Sequence, residues 1–234
     1  MGAYWFYTEE TKNGKWIYYK VDGVLLKFLE HAYYDNPVVK FAIRRLYNQP
    51  RRAVWLCDYY EGPAVKQEDL TVVEVPKRGI NVSYDELPWN LWFCSENGAI
   101  NLRKALEIQK NFWKNAHLLP EFNLPASFRR INLFKNYFEV LRISPVPFML
   151  ASDERYAGGG DIDYPGRGRW AFQKVWVTAE KPADLPDITA QFTPILVEIN
   201  PNTGNEEFFF MLPLAWQDAL AKFSEPSEGL EPMN

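Results

Sequence analysis

Two aromatic-rich runs, Ala3–Glu9 and Lys15–Val21, flank Asn13-Gly14, and a third, Val24–Leu29, follows Asp22-Gly23. Aromatic and β-branched residues suit a pleated surface, and Asn-Gly and Asp-Gly supply the positive φ pair that tight hairpins require. The pattern predicts a three-stranded antiparallel meander at the N-terminus. The period then lengthens. Val38, Phe41, Ala42 and Leu46 share one helical face behind Asn36-Pro37, where Asn serves as N-cap and Pro as first helical residue. Pro50 should end that helix near Asn48.

Ala53–Asp58 and Thr71–Val75 read as short strands, whereas Pro76–Asn97 carries no assignable period. A second helix is predicted over Ile100–Asn115, with Leu102, Ala105, Leu106 and Trp113 on one face. Leu119–Arg130 reads as a linker or ordered loop, and a domain boundary, if present, falls at Leu119–Pro125. Asn136–Ile143, Pro147–Ala151 and Trp170–Glu180 look like strands, and Pro194–Ile199 pairs with Glu206–Leu212 around Asn200–Gly204. Leu214–Phe223 forms a last helix, and Ser224–Asn234 is expected to be disordered. The sum is a single α+β domain over residues 1–223, mostly antiparallel, with about three helices and no sustained strand–helix alternation.

Composition changes this picture in one respect. Aromatic residues make up 16% of the 234-residue chain, which favours a β-rich core and leaves aromatics for stacking on a ligand or partner. A net charge of −4 argues against general nucleic-acid binding, which rests on a basic excess. Cys57 and Cys94 make neither a metal-ligand spacing nor a disulfide framework, and Cys57 reads as a buried thiol. Neither a signal peptide nor a membrane-crossing run is evident, so the chain reads as cytoplasmic with no membrane partner.

The candidate chemistry centres on Asp153–Trp170, DERYAGGGDIDYPGRGRW. Successive N–H groups at Gly158, Gly159 and Gly160 can cradle an anion. Asp161 and Asp163 could share a divalent cation, Mg²⁺ foremost, and Arg167 and Arg169 could hold phosphate oxygens. The segment matches neither the P-loop nor the dinucleotide fingerprint, and turn geometry alone would also explain its Gly, Asp and Pro. His31 and Asp58, each at a strand end, form the minimal pair for general acid–base work. A hydrogen-bonded structural histidine is the plainer alternative. Double arginines at Arg44-Arg45, Arg51-Arg52 and Arg129-Arg130 add basic character, the last among Phe128, Phe134, Tyr137 and Phe138. That interleaving is compatible with stacking on a single nucleic-acid strand.

His31-Ala-Tyr33 with Asn36, Val54-Trp55 with Asp58-Tyr59, and Pro145-x-Pro147 ahead of Gly158-Gly-Gly-Asp161 and Tyr164 resemble a set of uncharacterised bacterial and phage proteins. The resemblance spans roughly residues 25–190 and names no activity. It implies that His31, Asp58 and the glycine-rich segment belong to one site, in a phage or mobile-element setting. The leading expectation is binding, with hydrolysis or transfer as its extension, of a phosphate-bearing, nucleotide-like small molecule. The alternatives are a non-enzymatic protein-interaction module with an aromatic face and a single-stranded nucleic-acid binder.

Overall fold

The computed structural model describes residues 4–21, 36–58, 60, 62–76, 90–115, 143–152, 168–199 and 206–211. For residues 67, 112–115, 195–199 and 206–211 it describes the backbone alone. Seven strands form one sheet: β1 Trp5–Glu10, β2 Trp16–Val21, β3 Arg51–Cys57, β4 Leu70–Val75, β5 Trp92–Ser95, β6 Gly98–Asn101 and β7 Lys174–Thr178. Their order is β4-β2-β1-β3-β7-β5-β6, and every pairing is antiparallel except β2 with β4. Three helices, α1 Pro37–Leu46, α2 Leu102–Asn115 and α3 Pro145–Leu150, and a separate hairpin of β8 Pro194–Ile199 with β9 Glu206–Met211 complete the described α+β fold.

The first hairpin forms as its sequence predicts. Glu10 faces Trp16 across a turn in which Gly14 takes φ 76° and donates to the Thr11 carbonyl at 3.0 Å. Val24–Leu29 lies outside the described residues. The second edge of β2 is taken by β4 in parallel, Tyr18 beside Val72.

Alternation along the strands divides the sheet into two faces. One carries Trp5, Tyr7, Tyr19, Ala53, Trp55, Cys57, Phe93, Val175 and Val177, all buried. Against it pack Val38, Val39, Ala42, Ile43 and Leu46 of α1 and the wholly buried α3, making the main core. The opposite face carries Trp16, Val54 and Leu56, covered by Val65, with Tyr18, Tyr60, Leu70 and Phe172 alongside.

Helix α1 starts where its cap directs, with the Asn36 side chain accepting from Val38 N–H at 2.7 Å. Three local readings are corrected. Pro147–Ala151 belongs to a helix rather than a strand: Ser144 accepts from Val146 N–H, Pro145 sits at the first position, and six buried residues leave no helical period to read. Ile100 and Asn101 end strand β6 instead of opening α2, which begins at Leu102 with Asn101 accepting from Lys104 N–H at 2.8 Å. Within Pro76–Asn97, β5 pairs with β6 across Glu96-Asn97, and β7 starts only at Lys174. Both cysteines are buried. Leu119–Arg130, Asn136–Arg142, Leu214–Phe223 and the tail lie outside the described residues.

Candidate functional site

Of the residues expected to carry chemistry, Asp58 and Arg169 are described. His31, Gly158, Gly159, Gly160, Asp161, Asp163 and Arg167 lie outside the described residues, as does the aromatic and basic stretch 128–138.

Asp58 follows the last residue of β3. Its N–H donates to the Tyr4 carbonyl at 2.9 Å, and Tyr4 N–H donates to Asp58 Oδ1 at 3.0 Å, so the β1–β3 ladder closes on this side chain. The Cys57 thiol lies 3.7 Å from the same oxygen. Asp58 Oδ2 has no hydrogen-bond partner among the described residues.

Beside Asp58 opens a pocket of about 240 Å³, walled by Tyr18, Leu56, Cys57, Tyr60, Val65, Leu70 and Val72. Neighbouring strands supply Tyr18, Leu56, Leu70 and Val72 from one sheet face, and the connection from β3 to β4 supplies Tyr60 and Val65. Phe6 buttresses Tyr18, ring centroids 4.2 Å apart, and Phe172 lies 5.6 Å from Tyr60. Burial, then the Asp58 carboxylate, then Cys57 push the Tyr18 hydroxyl well above the ordinary tyrosine value. It therefore stays protonated through neutral pH, a neutral donor and acceptor on the pocket wall. Tyr60 folds back so that its hydroxyl end would collide with a Cβ placed on Gly62. Glycine at this point lets the ring form a wall.

The residues that bracket segment 153–167 are tied to the same strand. Ser152 N–H donates to the Trp55 carbonyl at 3.0 Å, and Ser152 Oγ accepts from Cys57 N–H at 3.1 Å, one residue from Asp58. On the exit side Gly168 N–H donates to Phe148 O at 2.8 Å, and Phe172 N–H to Ala53 O at 2.9 Å. The two stems touch: Gly168 has φ 69°, and a Cβ there would lie 2.7 Å from the Ala151 carbonyl oxygen. The glycine-rich segment thus springs from a narrow neck beside the pocket. Arg169, exposed, lays its guanidinium over the Phe192 ring at 4.9 Å.

A second polar constellation was not anticipated. Glu9, on the core face of β1 with a 2% exposed side chain, accepts from Tyr7 Oη at 3.1 Å, Tyr19 Oη at 2.9 Å and Arg51 Nη1 at 3.2 Å. Arg45 Nη2 binds it as well, and the Arg45 guanidinium covers the Tyr19 ring at 5.5 Å. Two of the sequence's double arginines therefore meet on one buried carboxylate and join the end of α1 to the sheet. Every group in it is partnered, which makes it a structural tie. Its sequence signal was a carboxylate at an inward position of the run Trp5, Tyr7, Glu9.

Among the described residues no group of three metal-ligating side chains converges, and no helix is long and apolar enough to cross a membrane. No protein-family model, curated protein or solved structure matches the chain.

Proposed function

We propose that this protein binds a phosphate-bearing, nucleotide-like small molecule, with its ring in the Asp58 pocket and its phosphates against segment 153–167. The observation that carries this reading is the neck of that segment, hydrogen-bonded to β3 one residue from Asp58. Size supports the division of labour. At about 240 Å³ the pocket is smaller than the roughly 300–1,000 Å³ typical of whole-ligand sites, so one ring fills it and the rest of the ligand extends outward. Charge supports it too. Asp58 is the charged side chain of the described lining, so phosphates belong away from it, near Gly158–Gly160, Arg167 and Arg169. Asp161 and Asp163 are the residues to hold Mg²⁺, and His31 is the acid or base if the bound ligand is hydrolysed or transferred.

A protein-interaction face would need a contiguous exposed apolar patch. Among the described residues the exposed large hydrophobics are Tyr4 and Val72, which favours the small-molecule reading.

A thermal-shift series with nucleoside diphosphates and sugar phosphates, with and without Mg²⁺, tests the proposal on wild type, Asp161→Ala and Val72→Trp. Val72 is exposed on strand β4 and accepts a large side chain that occludes the pocket. Ligand at 100 times its dissociation constant adds about 2.7 kcal/mol, several degrees in Tm. A shift in wild type that both substitutions remove is the expected result. Absence of any shift in wild type, or a shift that survives both substitutions, overturns it.

A further inference from the structure

We infer that the ring held in the pocket carries an amino or amidine group whose N–H donates to Asp58 Oδ2. The inference rests on the binding role proposed for this pocket and specifies which end of the ligand enters it.

Asp58 Oδ1 is occupied by Tyr4 N–H at 3.0 Å, which fixes the plane of the carboxylate and leaves Oδ2 unpartnered among the described residues. Among the described lining residues seven of eight are uncharged, and four of them, Leu56, Val65, Leu70 and Val72, are aliphatic. A carboxylate oxygen at the edge of such a wall discriminates by what it will tolerate. A ligand end without a donor would cover that oxygen and leave it without water or partner, a cost that site-specific hydrogen bonding converts into rejection. An anionic end would add repulsion. An amino or amidine N–H instead restores the lost hydration with a charge-assisted bond.

The walls suit the same head. Tyr18 and Tyr60 bring aromatic rings to the pocket, and an amidinium or protonated amine gains from their electron-rich faces. The Tyr18 hydroxyl, also without a hydrogen-bond partner among the described residues, offers a second acceptor for a planar group with two N–H bonds.

The test uses the whole protein and three probes that share one ring and lack phosphate: benzamidine, benzyl alcohol and benzoate. Binding is followed by NMR chemical-shift titration on wild type, Asp58→Asn and Val72→Trp, with Tm and circular dichroism recorded for each. Benzamidine should bind wild type at least tenfold more tightly than benzoate, with benzyl alcohol between them. Asp58→Asn should erase that preference, because the amide keeps an acceptor for Tyr4 N–H but loses the charge. Val72→Trp should abolish binding of all three. Equal affinities in wild type, or a benzamidine preference that survives Asp58→Asn in a folded protein, overturns the inference. If Asp58→Asn does not fold, the wild-type ranking and its loss in Val72→Trp decide. The two proposals fail separately. A benzamidine preference without stabilisation by any nucleotide removes the phosphate role alone, and nucleotide stabilisation without the preference removes this inference alone.

Discussion

Glu9 sits 2% exposed at the end of a run whose inward positions, Trp5 and Tyr7, are otherwise aromatic. A buried carboxylate is tolerable only when its lone pairs are filled, and two tyrosines and two arginines fill them. Glu9→Gln should therefore cost about 1–3 kcal/mol in urea denaturation. Arg103→Ala, which breaks an exposed pair with Glu107 four residues on, should cost about 0–1 kcal/mol. Equal costs would contradict the view that this cluster ties α1 to the sheet. Its pH signature follows from the tyrosines. Burial and then Glu9 raise Tyr7 and Tyr19 above the ordinary value, Tyr19 to about 12. The folded chain then keeps protons that the unfolded chain releases above about pH 10. The stability they confer is complete below that pH and lost as pH rises toward the native value. Burial also pushes the Cys94 thiol up to about 12, so urea midpoints should begin to fall above about pH 8.5 and fall more steeply above about 10, the steeper part being weaker in Tyr19→Phe. The participants were visible in the sequence as inward polar residues and paired arginines. Their meeting was not, because it depends on how α1 lies on the sheet.

Elements with a local signal were legible, and those set by burial were not. Asn36-Pro37 announces α1 through a cap that acts within two residues, so Asn36→Ala should cost about 1 kcal/mol. Helix α3 is buried on every side and has no polar stripe, so its sequence resembles a core strand until Ser144-Pro145 is read as a helix start. The β5–β6 hairpin did have a signal, Asn97-Gly98, the same dipeptide that marks the first hairpin. Gly98 has φ 153°, and a Cβ there would meet Ile188 Cδ1 at 2.7 Å. Gly98→Ala should lower stability by about 1–3 kcal/mol, measured by thermal unfolding. In the connection from β3 to β4, Gly62→Ala meets only the movable end of Tyr60. It should leave the unfolding free energy within about 1 kcal/mol of wild type while displacing the Tyr60 ring and weakening benzamidine binding. Unchanged affinity would show that Tyr60 does not shape the pocket.

At the scale of the molecule, the described helices pack on one face of a mostly antiparallel sheet, and the pocket opens on the other face beside a small aromatic layer. The α+β class was legible because the strand periods and hairpin turns are local. The candidate pocket was legible in the sequence at one residue. Asp58 was singled out as a polar residue at a strand end, but Tyr18, Tyr60 and Val72 become a wall only through the parallel pairing of β2 with β4, a contact between residues about fifty positions apart. Nor does any motif reveal that Ser152 and Phe172, on either side of the glycine-rich segment, both hydrogen-bond to β3. Gly168→Ala strains both φ and the approach to Ala151, so it should open the neck and weaken nucleotide binding more than it lowers Tm. The proposed ligand lies with its ring in that pocket and its phosphates at the neck. The most direct measurement is a crystal structure of the protein with the nucleoside diphosphate that raises its Tm most. Ring density should lie between Tyr18 and Tyr60, with an amino or amidine N–H at hydrogen-bond distance from Asp58 Oδ2. Ring density anywhere else, with the Asp58 pocket filled only by solvent, would contradict that placement.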